Sequence, residues 1–571
     1  MNMELKTQKL LISSMICFLS HMAYAAETPA EIAARENDRI QQQLQQRQKY
    51  EQEQILQSTK PPTRIDVAPP EVSATDQGPC LSIHQIDVSG YHLLSSKKIS
   101  QLVAPYINTC MGTRAIEVLM GKITAAYLNK GYVTSRVYLP EQDLKSGVLK
   151  LQVEEGKLTE LKVTDRAQGT LSLDTALGDV KSKPLNLRDL EQAIDQINRL
   201  QSNNTKMEII PGNQPGESIV VFDNDPSKRW NGYFTYDNKG QDSTGQNQAA
   251  LGLSLDNPLG LNDLFSVTYN RSLPFKINHT DSYSGSAMYI IPLGYNTFNF
   301  SASRSEYDTT LETDFNQLVS HGETTTFSGK IDTLLHRGLN NQFRMNAGIT
   351  AKDTEAFLEG VKLGVSSRKL SVFDLGFSYS DMILSGLVNV NVGYAKGLKI
   401  FNALEDQSDL SADAPKAQFD KMSYGISYFK GFNWLGQNFS ISSSFSGQQA
   451  FDTLYGSEQF SIGSLYSVRG FNQNSLSGDH GYAFKNDFSL SKNYDFNGTP
   501  IFGRHTLGLD YGKVDNKENS NYVGELSSVS LSTTFNVSNV SLELIATQPI
   551  HQSNFMKKQS ADVFFSSTFS F

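Results

Sequence analysis

The chain has 571 residues, a net charge of −9 and 19% charged residues, with 42 Gly, 32 Phe and 24 Tyr beside three Cys and two Trp. That balance excludes a nucleic-acid binder, which needs clustered positive charge, and the length exceeds one small enzyme domain. Mean hydropathy is −0.36, and beyond the first 25 residues no run approaches the ~20 apolar residues of a spanning helix, so a helical membrane protein is excluded and a β-barrel is not.

Lys6 and Lys9 precede an apolar run from Leu10 to Leu19, and Ala23-Tyr24-Ala25 puts small residues at −3 and −1. Residues 1–25 therefore read as a signal peptide cleaved after Ala25. Cys17 lies inside the run without the small residues that precede a lipidated cysteine. Export leaves Cys80 and Cys110, an even pair expected to form a disulfide. Two ligands do not make a metal cage, and no metal site is expected.

Residues 26–60 come next. From Glu31 to Ser58 there is no Gly or Pro, and nine of the residues from Gln41 to Gln57 are Gln. This predicts a helix polar all round, which cannot bury a face in an apolar core. It is either a flexible tether or the occupant of a wet, polar cavity. Residues 61–79 form a linker whose first ten residues carry a proline pair at each end, stiff and extended.

Residues 80–155 and 156–225 repeat one order of α/β signals. The first unit opens on Ile83, Ile86 and Val88. A helix follows from about Thr113 to Lys130 with Ile116, Leu119, Met120, Ile123 and Tyr127 on one face, stopped by Gly131. Strands at Val133 to Leu139 and Val148 to Val153 close it. The second restarts at Leu158 to Val163, places Leu187, Leu190, Ile194 and Ile197 on a helix face, and ends with strands near Met207 to Ile210 and Ser218 to Phe222.

Residues 226–571 change texture to short alternating stretches divided by Gly, Asn, Asp and Ser. Val388, Val390, Val392 and Tyr394 face one way while Asn389, Asn391 and Gly393 face the other. We count 16 candidate strands, beginning near residues 230, 247, 262, 281, 295, 322, 340, 367, 384, 417, 436, 481, 503, 527, 538 and 563. The spacing averages about 21 residues, as a membrane barrel with ~10-residue spans requires. The final alternation runs through Phe569 to Phe571. A barrel of this size leaves a wet lumen unless something plugs it, and the polar helix is a candidate.

Residues Tyr127 to Leu144, YLNKGYVTSRVYLPEQDL, resemble the first POTRA domain of the two-partner-secretion transporters, the TpsB or FhaC/ShlB/HecB family. Three further segments are similar to that family: Asp237-Asn238-Lys239-Gly240 with Thr244-Gly245, Ser467-Val468-Arg469-Gly470-Phe471 with Gly478-Asp479-His480-Gly481, and Gly508-Leu509-Asp510-Tyr511-Gly512. The resemblance implies α+β periplasmic POTRA domains followed by a 16-stranded antiparallel transmembrane β-barrel with an N-terminal plug helix, in a Gram-negative outer membrane. It also implies that Val468, Arg469, Gly470 and Phe471 form the tip of an extracellular loop folded into the lumen. Arg469 would be held there by Asp510, between Gly508 and Gly512 on the barrel wall. Ser464 stands where a second glycine is common, and Lys485 where an arginine often does.

The implied activity is secretion of one cognate TpsA exoprotein, a β-helical adhesin, haemolysin or contact-dependent growth inhibition toxin. The other partners implied are outer-membrane lipid and lipopolysaccharide, and the barrel-assembly machinery for insertion; a monomer is expected, with no nucleic acid and no cofactor. Gly121-Lys122-Ile123-Thr124 imitates a phosphate loop, but Ile116 and Ile123 replace its upstream glycine and its hydroxyl residue. The client is expected to add as a strand or bind a groove around Leu187, Leu190, Ile194 and Met207, positions that could equally be core. No catalytic residues are expected: no His pairs at i, i+4 with a Glu, no Gly-x-Ser-x-Gly occurs, and Ser477, Asp479 and His480 lie too close in one loop for a triad. A BamA- or TamA-like assembly factor shares the plan but carries more POTRA units and no plug helix.

Overall fold

A computed structural model describes residues 29–57, 63, 79–178, 183–274, 280–312, 316–411, 413–517 and 523–571. The expected signal peptide and nearly all of the linker lie outside the described residues. The first element, α1, is a helix over Pro29–Gln57.

The first α/β unit contains β1 (Leu81–Ile83), β2 (Gln85–Ser89), α2 (Ser96–Val103), β3 (Thr109–Met111), α3 (Thr113–Asn129), β4 (Arg136–Tyr138) and β5 (Val148–Glu154). β2 runs parallel to β5 and β4 antiparallel to it, while β1 pairs with β3. The face of α3 expected to be apolar is the core: Ile116, Leu119, Ile123 and Tyr127 pack on Leu149, Leu151 and Val153. Cys80 and Cys110 are disulfide-bonded. The second unit contains β6 (Lys157–Val163), α4 (Leu173–Leu177), α5 (Leu187–Asn198), β7 (Lys206–Pro211) and β8 (Glu217–Asp223), with sheet order β6-β8-β7.

The two units share a joint. Gly131 takes a positive φ of 93°, and its carbonyl accepts the Leu187 N–H at 2.8 Å. Asn186 caps α5 by accepting from the Arg188 N–H at 2.9 Å and reaches back to the Lys130 carbonyl. Leu128 and Val133, from the first unit, belong to the core of the second. A common core makes the pair one rigid body rather than two beads on a string.

The barrel is closed, and its strands are all antiparallel neighbours. They begin with β9 (Trp230–Asp237), β10 (Asn247–Asp256), β11 (Leu264–Leu273), β12 (Asp281–Leu293), β13 (Asn296–Glu312), β14 (Gln317–Arg337) and β15 (Asn341–Leu358). β16 (Val361–Lys362) only extends a hairpin, and β17 (Arg368–Ile383), β18 (Gly386–Leu398), β19 (Asp420–Trp434) and β20 (Gln437–Ala450) follow. β21 (Phe460–Ile462) and β22 (Leu476–Gly478) pair with each other inside a long loop. The wall then resumes with β23 (His480–Phe496), β24 (Thr499–Asp515), β25 (Gly524–Val537), β26 (Val540–His551) and β27 (Asp562–Ser570). Setting aside β16, β21 and β22, the wall has 16 strands, each starting within a few residues of its expected position. β27 meets β9 to close the ring. There Phe571 and Gly232 exchange backbone hydrogen bonds of 2.9 and 2.8 Å.

A Cβ on Gly131 would stand 2.2 Å from Asn186 Oδ1. Gly131→Ala adds left-handed strain to that clash and is expected to cost about 1–2 kcal/mol at the joint. Limited proteolysis of the full chain should then nick between the two units at lower protease concentration; an unchanged digestion pattern would refute the rigid joint.

Candidate functional site

The lumen holds α1. A helix of this composition has no apolar face to bury, and its side chains bond instead to the inward face of the wall. Asn37 accepts from the Tyr307 and Ser320 hydroxyls. Asp38 pairs with Arg368, whose guanidinium also lies over the Tyr455 ring, 4.8 Å from its centre. Arg47 donates to Asp237 at 3.1 Å and to Asn270 at 3.0 Å. Of the two readings left open by the sequence, tether or cavity occupant, the structure gives the second.

The same helix bonds to the loop between β20 and β23. Gln42 donates to the Gly456 carbonyl and accepts from Ser477. Arg39 donates to the Gln473 carbonyl at 2.9 Å, and Gln46 accepts from Ser464 at 2.7 Å. Ser464, the departure from glycine, thus supplies a hydroxyl to the helix. The Tyr50 and Tyr466 rings meet 4.8 Å apart.

The loop folds back as a small body with its own core. Ile462, Val468, Phe471 and Leu476 pack against Ala483, Val514 and Leu526 of the wall. Asp479 staples its ends: one carboxylate oxygen accepts from the Leu454 N–H at 2.9 Å and from Gln459, the other from the Lys517 N–H. Glu458 is buried between Lys352 at 2.6 Å and Lys421 at 2.9 Å. Burial alone would raise its carboxyl, but the two ammonium groups outweigh that and hold it at about 2.

At the tip Arg469 is bidentate on Asp510, with Nε to Oδ2 at 2.7 Å and Nη2 to Oδ1 at 2.6 Å, and its backbone N–H donates to the same carboxylate. Nη2 also stands 2.7 Å from Asp487, a carboxylate the sequence reading missed. Its signal was available: Asp487 lies two residues from Lys485 on the inward face of β23. Lys485, the second departure, is directly opposite Asp510. Three glycines make the approach possible. A Cβ on Gly508 would stand 2.3 Å from Arg469 Nη2, one on Gly470 2.6 Å from Ser528 Cβ, and one on Gly512 2.9 Å from Ile462.

The candidate client-binding positions do not form an open groove. Leu187, Leu190 and Ile194 are buried in the second unit's core, and Met207 packs half-buried against it from β7. The other face of α5 is docked on the barrel rim. Arg337, at the end of β14, donates to Asp195 at 2.7 Å and to Glu191 at 3.3 Å, and Gln196 donates to the Gly294 carbonyl at 3.0 Å. Among the described residues the outer edge of β7 has no partner strand, and that of β6 has only an isolated bridge from Lys157 to Pro184.

The haemolysin secretion/activation protein family ShlB/FhaC/HecB matches residues 216–535, a ShlB-type POTRA domain residues 81–156, and a second POTRA family residues 157–211. The outer membrane transporter CdiB of Dickeya dadantii is 32% identical over 518 residues, 90% of this chain and 89% of that one. The hemolysin transporter protein HpmB of Proteus mirabilis is 29% identical and covers 93% of both chains. The solved structure of CdiB from Escherichia coli superposes with a TM-score of 0.85 at 30% identity, covering 96% of this chain and 100% of that one.

Gly508→Ala should expel the Arg469 guanidinium and leave Asp510 buried without its partner, at about 3–5 kcal/mol. The barrel should still close, as read by heat-modifiable gel migration, while protease added outside cleaves within residues 451–479. Cleavage no faster than in the unsubstituted protein would show that the ion pair does not hold the loop.

Proposed function

The chain belongs to the haemolysin secretion/activation family ShlB/FhaC/HecB, and from that premise we propose that it secretes one large cognate exoprotein across the outer membrane. The observation that carries this reading is α1 hydrogen-bonded inside the lumen to the wall and to the Arg469 loop at once. A passive pore has no need of such a stopper, nor of two periplasmic units docked on its rim.

The client arrives unfolded and adds an extended segment to the free edge of β7, where backbone hydrogen bonds give affinity with little demand on sequence. The core of that unit lies behind the strand, with Met207 and Ile209 packed against it. α1 then leaves the lumen. Its contacts are mostly single hydrogen bonds between groups that water satisfies equally well, worth about 1 kcal/mol net apiece, whereas the loop keeps its apolar core and its ion pair. Gly121 and Lys122 lie within α3 and form no phosphate-cradling loop, and the reading routes no step through a nucleotide. Folding of the exported chain outside the cell supplies the direction. The protein works as a monomer, inserted by the barrel-assembly machinery, and the reading assigns it no catalytic step.

Three measurements test this. A cognate exoprotein should be retained in the periplasm when this chain is deleted, with other outer-membrane barrels at normal levels; a fall in all barrels together would make it an assembly factor instead. Removing residues 29–57 should raise ion conductance in planar bilayers, and unchanged conductance would end the stopper role. Arg469→Ala should abolish secretion while the barrel still inserts; normal secretion would take the loop out of the mechanism.

A further inference from the structure

Arg337, the last residue of β14, is buried where α5 meets the barrel rim, with its side chain 3% exposed. Nη1 donates to Asp195 at 2.7 Å and to Gln192 at 3.2 Å, Nε donates to Glu191 at 3.3 Å, and Nη2 donates to the Thr63 carbonyl at 2.7 Å. Asp195 uses both of its oxygens. Oδ2 holds Arg337, and Oδ1 accepts from the Thr63 N–H at 2.7 Å. One ion pair therefore meets both main-chain groups of a residue in the linker between α1 and the first α/β unit. Neither bond involves the Thr63 side chain, so the pair reads the main chain.

The position of this grip limits what α1 can do. Tyr50 lines one cavity with Gln201 of the second unit and with Asn231, Gly232 and Phe571 at the periplasmic ends of β9 and β27. The last turns of α1 therefore stand at the periplasmic mouth. Thr63 is the sixth residue after Gln57, the end of the helix, and six residues reach about 20 Å at most. For α1 to clear the wall as a helix, Pro29 has to descend to the level at which Tyr50 now sits. The 21 residues between those positions span about 32 Å at ~1.5 Å each. That descent exceeds the reach from Thr63. While the Thr63 main chain is held at the rim, α1 can slide in the lumen but cannot clear it.

We propose that Asp195 and Arg337 form a binding site for extended polypeptide main chain, occupied at rest by the chain's own residue 63, and that α1 leaves the lumen only after this site has released it. The proposal rests on the reading of α1 as a stopper that departs during export. Both bonds to Thr63 are charge-assisted, and so stronger than the amide contacts that α1 makes inside the lumen. Asp195 belongs to the second α/β unit and Arg337 to the barrel. A movement of that unit against the rim separates the two halves of the site and frees the linker, so the latch is built to answer an event in the periplasm.

Thr63→Pro removes the N–H that Asp195 accepts and leaves the bond between Asp195 and Arg337 in place, whereas Thr63→Ala keeps both main-chain groups. With the full chain in planar bilayers, Thr63→Pro should open about ten times as often as the unsubstituted protein at the same single-channel conductance. Thr63→Ala should open no more often than the unsubstituted protein. Thr63→Cys/Asp195→Cys, joined by a disulfide, should fall silent and recover with a reductant that leaves the unsubstituted protein unchanged. Openings of Thr63→Pro at the unsubstituted frequency, or undiminished openings of the joined double variant, overturn the proposal. If the two cysteines do not join, Thr63→Pro against Thr63→Ala decides. The chain lacking residues 29–57, recorded beside them, separates the two readings. High conductance there with an unchanged Thr63→Pro removes the latch and keeps the stopper, whereas unchanged conductance there removes both.

Discussion

A ring of 16 strands encloses more space than its own inward side chains can fill, and every feature of the interior answers that surplus. Two fillers share the task and are held by different physics. The loop of residues 451–479 brings an apolar core to the wall and plants a charge in it. The helix brings amides, one arginine to Asp237 and one aspartate to Arg368. Dry contacts and a buried ion pair are costly to undo, whereas amide contacts exchange with water at little net cost. The contrast makes the loop the more firmly held of the two.

The anchor depends on missing atoms as much as on present ones. Arg469 reaches two carboxylates because Gly508 leaves a hollow the size of a guanidinium, and the loop backbone lies against the wall because Gly470 and Gly512 carry no side chains. Lys485 adds a second cation opposite Asp510. Two acids and two bases therefore balance within one buried patch, the condition under which charges tolerate removal from water. Glu458 between Lys352 and Lys421 repeats the device at the loop's other end.

The barrel was legible in the sequence because alternation is local: a residue's face follows from its neighbours, and strand starts such as 230, 247 and 281 can be read without knowing the partner strand. The helix α1 was legible as a helix, and as a stopper through its all-round polarity and the family resemblance, but its individual partners were not, since Gly456 and Ser477 lie some 400 residues away and no periodicity announces them. The apolar stripe of α5 was ambiguous for a different reason. A 3.6-residue period reports that one face is buried, not whether its own domain or a client buries it, and here the domain does. Gly131 read as a helix stop and is also the joint between two units, a role set by Asn186 and Leu187 from the far side of a domain boundary.

The glutamines of α1 have one further consequence. Gln42, Gln43 and Gln46 present to the loop a primary amide, the same donor and acceptor pair that every peptide bond carries. To these contacts, a threaded polypeptide backbone is a chemical equivalent of the helix. On the proposed reading, the conduit would exchange one occupant for the other group by group, without reading the newcomer's side chains and without its polar surfaces standing bare.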